Sequence, residues 1–194
     1  MNDPGFTRLR RELDEAITFD DLGKSRSLVA EGLQRAQQDE IPGEVMYFRA
    51  QEAIIEGMFT EAIVMLEQAL VFNPSDGAAY NDIALCMVEM GRLEGVLDIF
   101  DQGIAVEPDY ATIHHNKGWF LNKIGKTSQA LACFEQALLL EPGRVVTWEN
   151  MADAYEEQGR LPEALNAYKK ALALLKKPSS RIRAQLQAEI DRLT

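Results

Sequence analysis

The chain has 194 residues, 46% of them apolar, enough for one well-packed core and too many for a disordered chain. A formal net charge of −11 excludes a nucleic-acid partner, whose phosphates demand a basic patch, and an anionic membrane surface. The two cysteines, Cys86 and Cys133, show no CxxC spacing and read as buried, reduced thiols, which suits a reducing cytoplasm.

Charged residues run through Met1 to Phe19, so no leader segment is expected there, and no apolar stretch approaches the roughly 18–20 residues a membrane span needs. Asp3-Pro4 reads as an N-cap followed by proline at the first helical position. Phe6, Leu9, Leu13, Ala16 and Ile17 then recur at helical spacing and predict a first amphipathic helix. Asp20-Asp21 starts a turn, and a second helix is expected from about Leu22 to Gln38, with Leu28, Val29, Leu33 and Ala36 inward. After the break at Ile41-Pro42-Gly43, helix pairs are predicted at about 44–56 and 60–72, 77–90 and 93–106, 111–124 and 127–140, and 145–158 and 161–175. Short connections predict antiparallel neighbours. Lys176-Lys177-Pro178 ends the last pair, with lysines suited to the negative end of a helix dipole. A final helix at about 179–193 sets Ile182, Leu186, Ile190 and Leu193 on one face and reads as a cap over the end of the stack, with a dimerisation helix as the runner-up.

A fixed step orders these elements. Gly23, Gly57, Gly91, Gly125 and Gly159 fall one every 34 residues, and Pro74, Pro108 and Pro142 keep the same step. Seven places before the glycine stands a small residue, Ala50, Ala84, Gly118 or Ala152. Five places after it comes Ala62, Val96, Ala130 or Ala164, nine after it Leu66, Phe100, Phe134 or Tyr168, and twelve after it Ala69, Gly103, Ala137 or Ala171. Alternating small and large residues let two helix backbones approach closely. The glycine permits a left-handed turn and the proline closes the second helix. A period of this length marks an array of helix–turn–helix units, none of which buries its apolar face alone.

On these residues the chain resembles the tetratricopeptide repeat (TPR) family over roughly residues 43–178. The resemblance implies an all-α, right-handed superhelical α-solenoid of helix–turn–helix repeats in a single domain. Residues 5–42 form a degenerate first repeat, since Leu28 and Gly32 stand where alanine and a large apolar residue are expected. Repeats follow at 43–76, 77–110, 111–144 and 145–178, with the capping helix at 179–194.

No constellation predicts catalysis, a metal or a cofactor. Gly23-Lys24-Ser25 and Gly125-Lys126-Thr127 look like the back half of a phosphate loop, but Thr18 and Phe120 stand where its first glycine belongs. His114 and His115, the two histidines, lack i+4 partners able to ligate a metal. His114 is expected in place of a core aromatic and His115 facing a groove.

The family resemblance implies that the first helix of each repeat lines a concave groove that binds a peptide or helix of a partner. The matching rows are Tyr47, Asn81, His115 and Glu149, then Gln51, Leu85, Trp119 and Asp153, then Ile55, Glu89, Lys123 and Glu157. Tyr47, Leu85 and Trp119 compose an apolar patch in a polar rim, with Trp119 as the expected anchor. Some TPR proteins clamp acidic chaperone tails with Lys, Asn and Arg. Asn116 and Asn150 occupy asparagine positions of that clamp, yet Lys123 is the only groove cation and Glu149, Asp153 and Glu157 repel a carboxylate. A partner with basic and apolar residues fits better. Residues 43–110 hold 13 acids against Arg49 and Arg92, whereas 111–144 hold four bases against two acids, an asymmetry that either steers a partner or only solvates the surface. The expected function is therefore a non-enzymatic cytoplasmic adaptor or scaffold. The alternatives are self-assembly as a homodimer or end to end, and, more remotely, sensing of a small ligand.

Overall fold

Each 34-residue step of the sequence becomes a pair of helices. In the computed structural model, which describes residues 4–19, 21–175 and 180–194, the order is α1 (Pro4–Thr18), α2 (Leu22–Gln38), α3 (Pro42–Ile55), α4 (Phe59–Phe72), α5 (Gly77–Glu89), α6 (Val96–Val106), α7 (Ala111–Lys123), α8 (Thr127–Leu140), α9 (Val145–Glu157), α10 (Leu161–Leu174) and α11 (Ser180–Arg192). The fold is all-α, as expected. The chain forms two compact units, Met1–Glu107 and Pro108–Thr194. The expected cap at Asp3 and the stop at Lys176-Lys177-Pro178 lie outside the described residues.

Four of the five framing glycines close their helix pair in the same way. Gly57, Gly91, Gly125 and Gly159 have φ of +74°, +71°, +76° and +71°. The amide after each donates to the carbonyl five residues back, as Met58 to Ala53 at 2.8 Å and Lys126 to Leu121 at 2.8 Å. Each glycine amide itself donates three residues back, as Gly57 to Ile54 at 3.0 Å. This paired closure satisfies two terminal carbonyls and needs the left-handed region that only glycine enters freely. Gly23 departs from the expectation. It lies inside α2, and Asp21 makes the turn instead, its side chain accepting from the Lys24 amide at 3.0 Å. α6 also starts later than predicted, at Val96, because Gly95 with φ +79° forms its N-cap.

The core repeats the small–large alternation. Ala50, Ala84 and Ala152 are fully buried, as are Leu66, Phe100 and Phe134. Gly118 shows how close the helices come, since a Cβ there would lie 2.7 Å from the Phe134 ring. The degenerate first repeat uses the same fit in reverse. Gly32 occupies the large-residue position, and a Cβ on it would lie 2.3 Å from the ring of Phe48. Phe48, fully buried, stands where Asp82, Asn116 and Asn150 stand one, two and three steps on. Bulk has moved from the second helix of one repeat to the first helix of the next.

Unit 2 ends on α11. Leu186 and Ile190 bury themselves against Ala152, Ala164, Ala167, Tyr168 and Ala171. Gln185 donates to Glu149 at 3.3 Å and Arg192 to Glu156 at 2.6 and 2.5 Å, each across 36 residues rather than 34. The outward positions Arg181, Arg183, Gln187 and Asp191 are exposed and polar, which is what a cap requires.

The exchange between Gly32 and Phe48 predicts a rescue. Gly32→Leu alone should destabilise unit 1 by about 1–3 kcal/mol through overpacking, and Phe48→Ala alone by about 3–5 kcal/mol through the cavity it leaves. The double variant restores the arrangement of the later repeats. Chemical denaturation should find it less destabilised than the sum of the two by about 1 kcal/mol or more.

Candidate functional site

On the first helices of unit 1, an arginine that the sequence reading passed over ties the repeats together. Arg10 of α1 meets Asp76 with both carboxylate oxygens at 2.9 and 2.8 Å, and Glu44 of α3 at 3.0 and 3.2 Å. Its guanidinium lies 3.6 Å from the centroid of the Tyr47 ring. Asp76 is also the N-cap of α5, accepting from the Ala79 amide at 3.2 Å. A forked cation held by two carboxylates and an aromatic face is a rigid arrangement. The signal was present in the period, because Arg10 stands one 34-residue step before Glu44.

Beside it sits a second polar cluster. Asp82 accepts from the Gln51 amide at 2.5 Å, from the Asn81 amide at 3.0 Å and from the Tyr47 hydroxyl. Burial, opposed by these donors and aided by Asp76, pushes its carboxyl up to about 6. Tyr47, Gln51 and Asn81 were expected to line an open groove. The structure buries all three, at 5%, 3% and 2% exposure, because their polar ends are turned onto Asp82 and Arg10. Leu85 and, in the third row, Ile55 remain half-buried, and Glu89 is exposed. Cys86 is buried, its thiol pushed up to about 12 by burial and by Asp82 and Glu89. A hollow of about 320 Å³ opens between α2 and α3, floored by Val29, Leu33 and Ile55 and rimmed by Arg26, Glu52 and Glu56.

Unit 2 differs. His115, expected to face a groove, is buried, and its Nδ1 lies 3.0 Å from the Thr147 hydroxyl. Burial, with the charge of Arg144, lowers its pKa to about 3, so it is a neutral packing residue. His114 takes the core aromatic place as expected. Its Nε2 donates to the Pro108 carbonyl at 2.9 Å, as the Trp148 indole, one step on, donates to the Pro142 carbonyl at 3.0 Å. Trp119 is half-buried, with Lys123 Nζ 4.9 Å from its ring. Asn116, Asn150 and Glu149 are half-buried, and Lys123 and Asp153 are exposed.

Glu149, Asp153 and Glu157 stand one turn apart on α9. Burial raises Glu149, and Asp153 and Glu189 raise it further. Asp153 is also raised, first by desolvation, in spite of the Tyr168 hydroxyl that donates to it, and then by Glu156, Glu189 and Glu157. Glu157 is engaged elsewhere, accepting from Asn122 at 3.1 Å and Thr127 at 3.0 Å. Glu189, on the capping helix, was not among the expected residues. It stands 36 residues after Asp153, and the 34-residue step pointed past it. Among the described residues no cluster of three or more His, Cys, Asp or Glu side chains could hold a metal ion, and no helix is long and apolar enough to cross a membrane.

The buried neutral His115 makes unit 2 sensitive to acid. Its folded pKa lies below the ordinary 6.5, so the unfolded chain takes up a proton first. Its contribution is intact above pH 6.5 and is lost as pH falls toward 3. Between pH 7 and pH 4, His115→Gln should lose less stability than the wild type, by about 3 kcal/mol at most, in denaturation measured at each pH.

Three models described as tetratricopeptide repeat match residues 53–116, 111–144 and 145–178, together well over half of the chain. No curated protein matches it. Among solved structures, the thermophilic TPR protein TTC0263 of Thermus thermophilus is 22% identical, with 94% of this chain and 98% of that one covered at a TM-score of 0.74. YrrB, titled a TPR protein with an unusual peptide-binding site, is 16% identical over 91% of this chain and 88% of its own, at 0.61. The type III secretion chaperone SycD of Yersinia enterocolitica, solved with a peptide of the translocator YopD, is 12% identical over 59% and 88%, at 0.56. At these identities the likeness is one of fold. A helix pair closed by the same glycine turn at a 34-residue step, matched by repeat models from residue 53 to residue 178, makes this chain a member of the tetratricopeptide repeat family.

Proposed function

We propose that this chain is a protein-interaction adaptor whose first helices bind a segment of a partner carrying basic and apolar residues. TPR arrays are generally protein–protein interaction modules, and two structures of the same fold, YrrB and SycD, are titled for a peptide-binding site and a bound peptide. The observation that carries the reading is in unit 2. Trp119 is half-buried, while Glu149 and Asp153 one repeat on are raised first by burial and then by neighbouring carboxylates, with no cation among the groups that shift them. A cation on a partner relieves that repulsion, and an apolar side chain covers the indole.

The contact set is then Trp119, Asn116, Lys123, Glu149, Asn150 and Asp153, all within unit 2. Tyr47, Gln51, Asn81 and His115 act from beneath, by fixing the helices that carry these groups. The thiols of Cys86 and Cys133, not joined in a disulfide, suit a reducing compartment. Self-assembly through α11 finds no support in its polar outward positions.

The test is affinity capture of partners on the full chain, followed by calorimetric titration of the captured segment against wild type and Trp119→Ala. A loss of about 2 kcal/mol, roughly 30-fold in Kd, is expected if Trp119 is the anchor. Affinities equal within about 0.5 kcal/mol would remove it from the site. Raising salt from about 50 to about 300 mM should weaken the wild-type complex, since part of the attraction is between opposite charges at the surface.

A further inference from the structure

Asp82 has no role in the reading above, and its surroundings are unusual for a surface helix. Three hydrogen-bond donors converge on one carboxylate: the Gln51 amide on Oδ2, the Asn81 amide on Oδ1 and the Tyr47 hydroxyl. Two of the three donors are on α3 and one is on α5, so the carboxylate is a joint between consecutive repeats. Gln51 and Asn81 are almost wholly buried and have no solvent to turn to.

The charges that face this joint can be counted element by element. α1 brings Arg10, and α3 brings Glu44 with the neutral Tyr47 and Gln51. α5 brings Asp76, Asn81, the thiol of Cys86 and, one turn further, Glu89. The buried residues of α4 are Ala62, Leu66 and Ala69, and those of α6 are Val96, Phe100 and Gly103, none of them charged. Arg10 spends its guanidinium on Asp76 and Glu44. Among the described residues, the groups that act on Asp82 are neutral donors and the carboxylate of Asp76, with no cation.

We propose that Asp82 is a proton-operated positioning residue, whose protonation turns over the buried amide of Gln51 and changes the hydrogen bonding that joins α3 to α5. An ionised carboxylate only accepts, so all three neighbours present donors. When one oxygen takes a proton it becomes a donor and meets another donor. Two hydrogens facing each other without solvent is a costly arrangement. The amide of Gln51 relieves it by a half-turn that presents Oε1 in place of Nε2, with no change in the volume it fills. The two arrangements are discrete. Because Tyr47 both donates to Asp82 and lies under Arg10, the exchange is felt at the contact that holds α1. Asp82 releases its proton at about pH 6 rather than near 4, so the exchange falls within the range of ordinary cellular pH changes. The device concerns unit 1 alone and does not depend on the partner-binding reading.

The test is a nuclear magnetic resonance titration of the isotopically labelled full chain from about pH 4.5 to 8, following the Asp82 carboxyl carbon and the side-chain amide of Gln51. Both should move with one shared midpoint near 6. In Gln51→Met, which removes a donor from the carboxylate, the Asp82 midpoint should rise by roughly half a unit or more. In Asp82→Asn, the Gln51 amide should be flat across the range. An Asp82 midpoint near 4 overturns the idea, and so does a Gln51 amide that stays flat while Asp82 titrates. Should Asp82→Asn fail to fold, the wild-type titration and Gln51→Met decide between the same outcomes.

Discussion

The depth to which one helix of a pair sinks into the other governs everything above it. Where Gly118 faces Phe134, no atom beyond the backbone fits, and where Ala50, Ala84 and Ala152 stand, only a methyl group does. That contact recurs every 34 residues, so within each unit the first helices come up at one level and side by side. Without a constant depth, Arg10 could not reach Glu44 and Asp76 together, nor Gln51 meet Asp82 at 2.5 Å. Hydrogen bonds of that length tolerate little drift between the helices that carry them. Packing therefore comes first, and the polar clusters on the first helices are a consequence of it.

Much of this was legible in the 34-residue step, because the step reports packing directly. Small residues, large residues and turn glycines each answer one steric demand, and all three repeat together. The step says which residues share a face. It does not say how deep each one lies. Tyr47, Gln51, Asn81 and His115 stood in rows expected to be open, yet Tyr47, Gln51 and His115 each found a polar partner on a neighbouring helix and Asn81 one on its own, and such pairings depend on two side chains rather than on a period. Gly32 looked like a defect of the first repeat until Phe48 was seen to fill its place. Gly95 broke no frame and gave no warning that α6 would start late. The final step of 36 residues hid Glu189 from any comparison made at 34.

The two units handle excess negative charge differently. In unit 1, Arg10 is drawn onto Glu44 and Asp76, and the face is closed by its own residues. In unit 2, Arg192 is drawn instead onto Glu156 and Glu189, at the far edge, while Glu149 and Asp153 are raised by burial and then by neighbouring carboxylates, Glu189 among them for both. Side chains that elsewhere carry chemistry are quieted by the same burial. His115 is held neutral, and the Cys86 thiol is held protonated well above its ordinary range.

Polar groups buried between repeats have a further consequence for binding. An interface gains most when the groups that meet the partner are already fixed, because ordering them on contact costs affinity. The indole of Trp148 on the Pro142 carbonyl, Thr147 against His115, and Tyr168 on Asp153 all restrain α9 from below or from the side. Asp153 is thus both an exposed charge and a fixed one, held by a hydroxyl from the second helix of its own pair. A carboxylate so placed loses little freedom when a cation arrives, whereas one on an unrestrained surface helix must first be ordered. The same buried bonds that hold His115 neutral and enclosed are therefore what give the more exposed residues of unit 2 a defined direction.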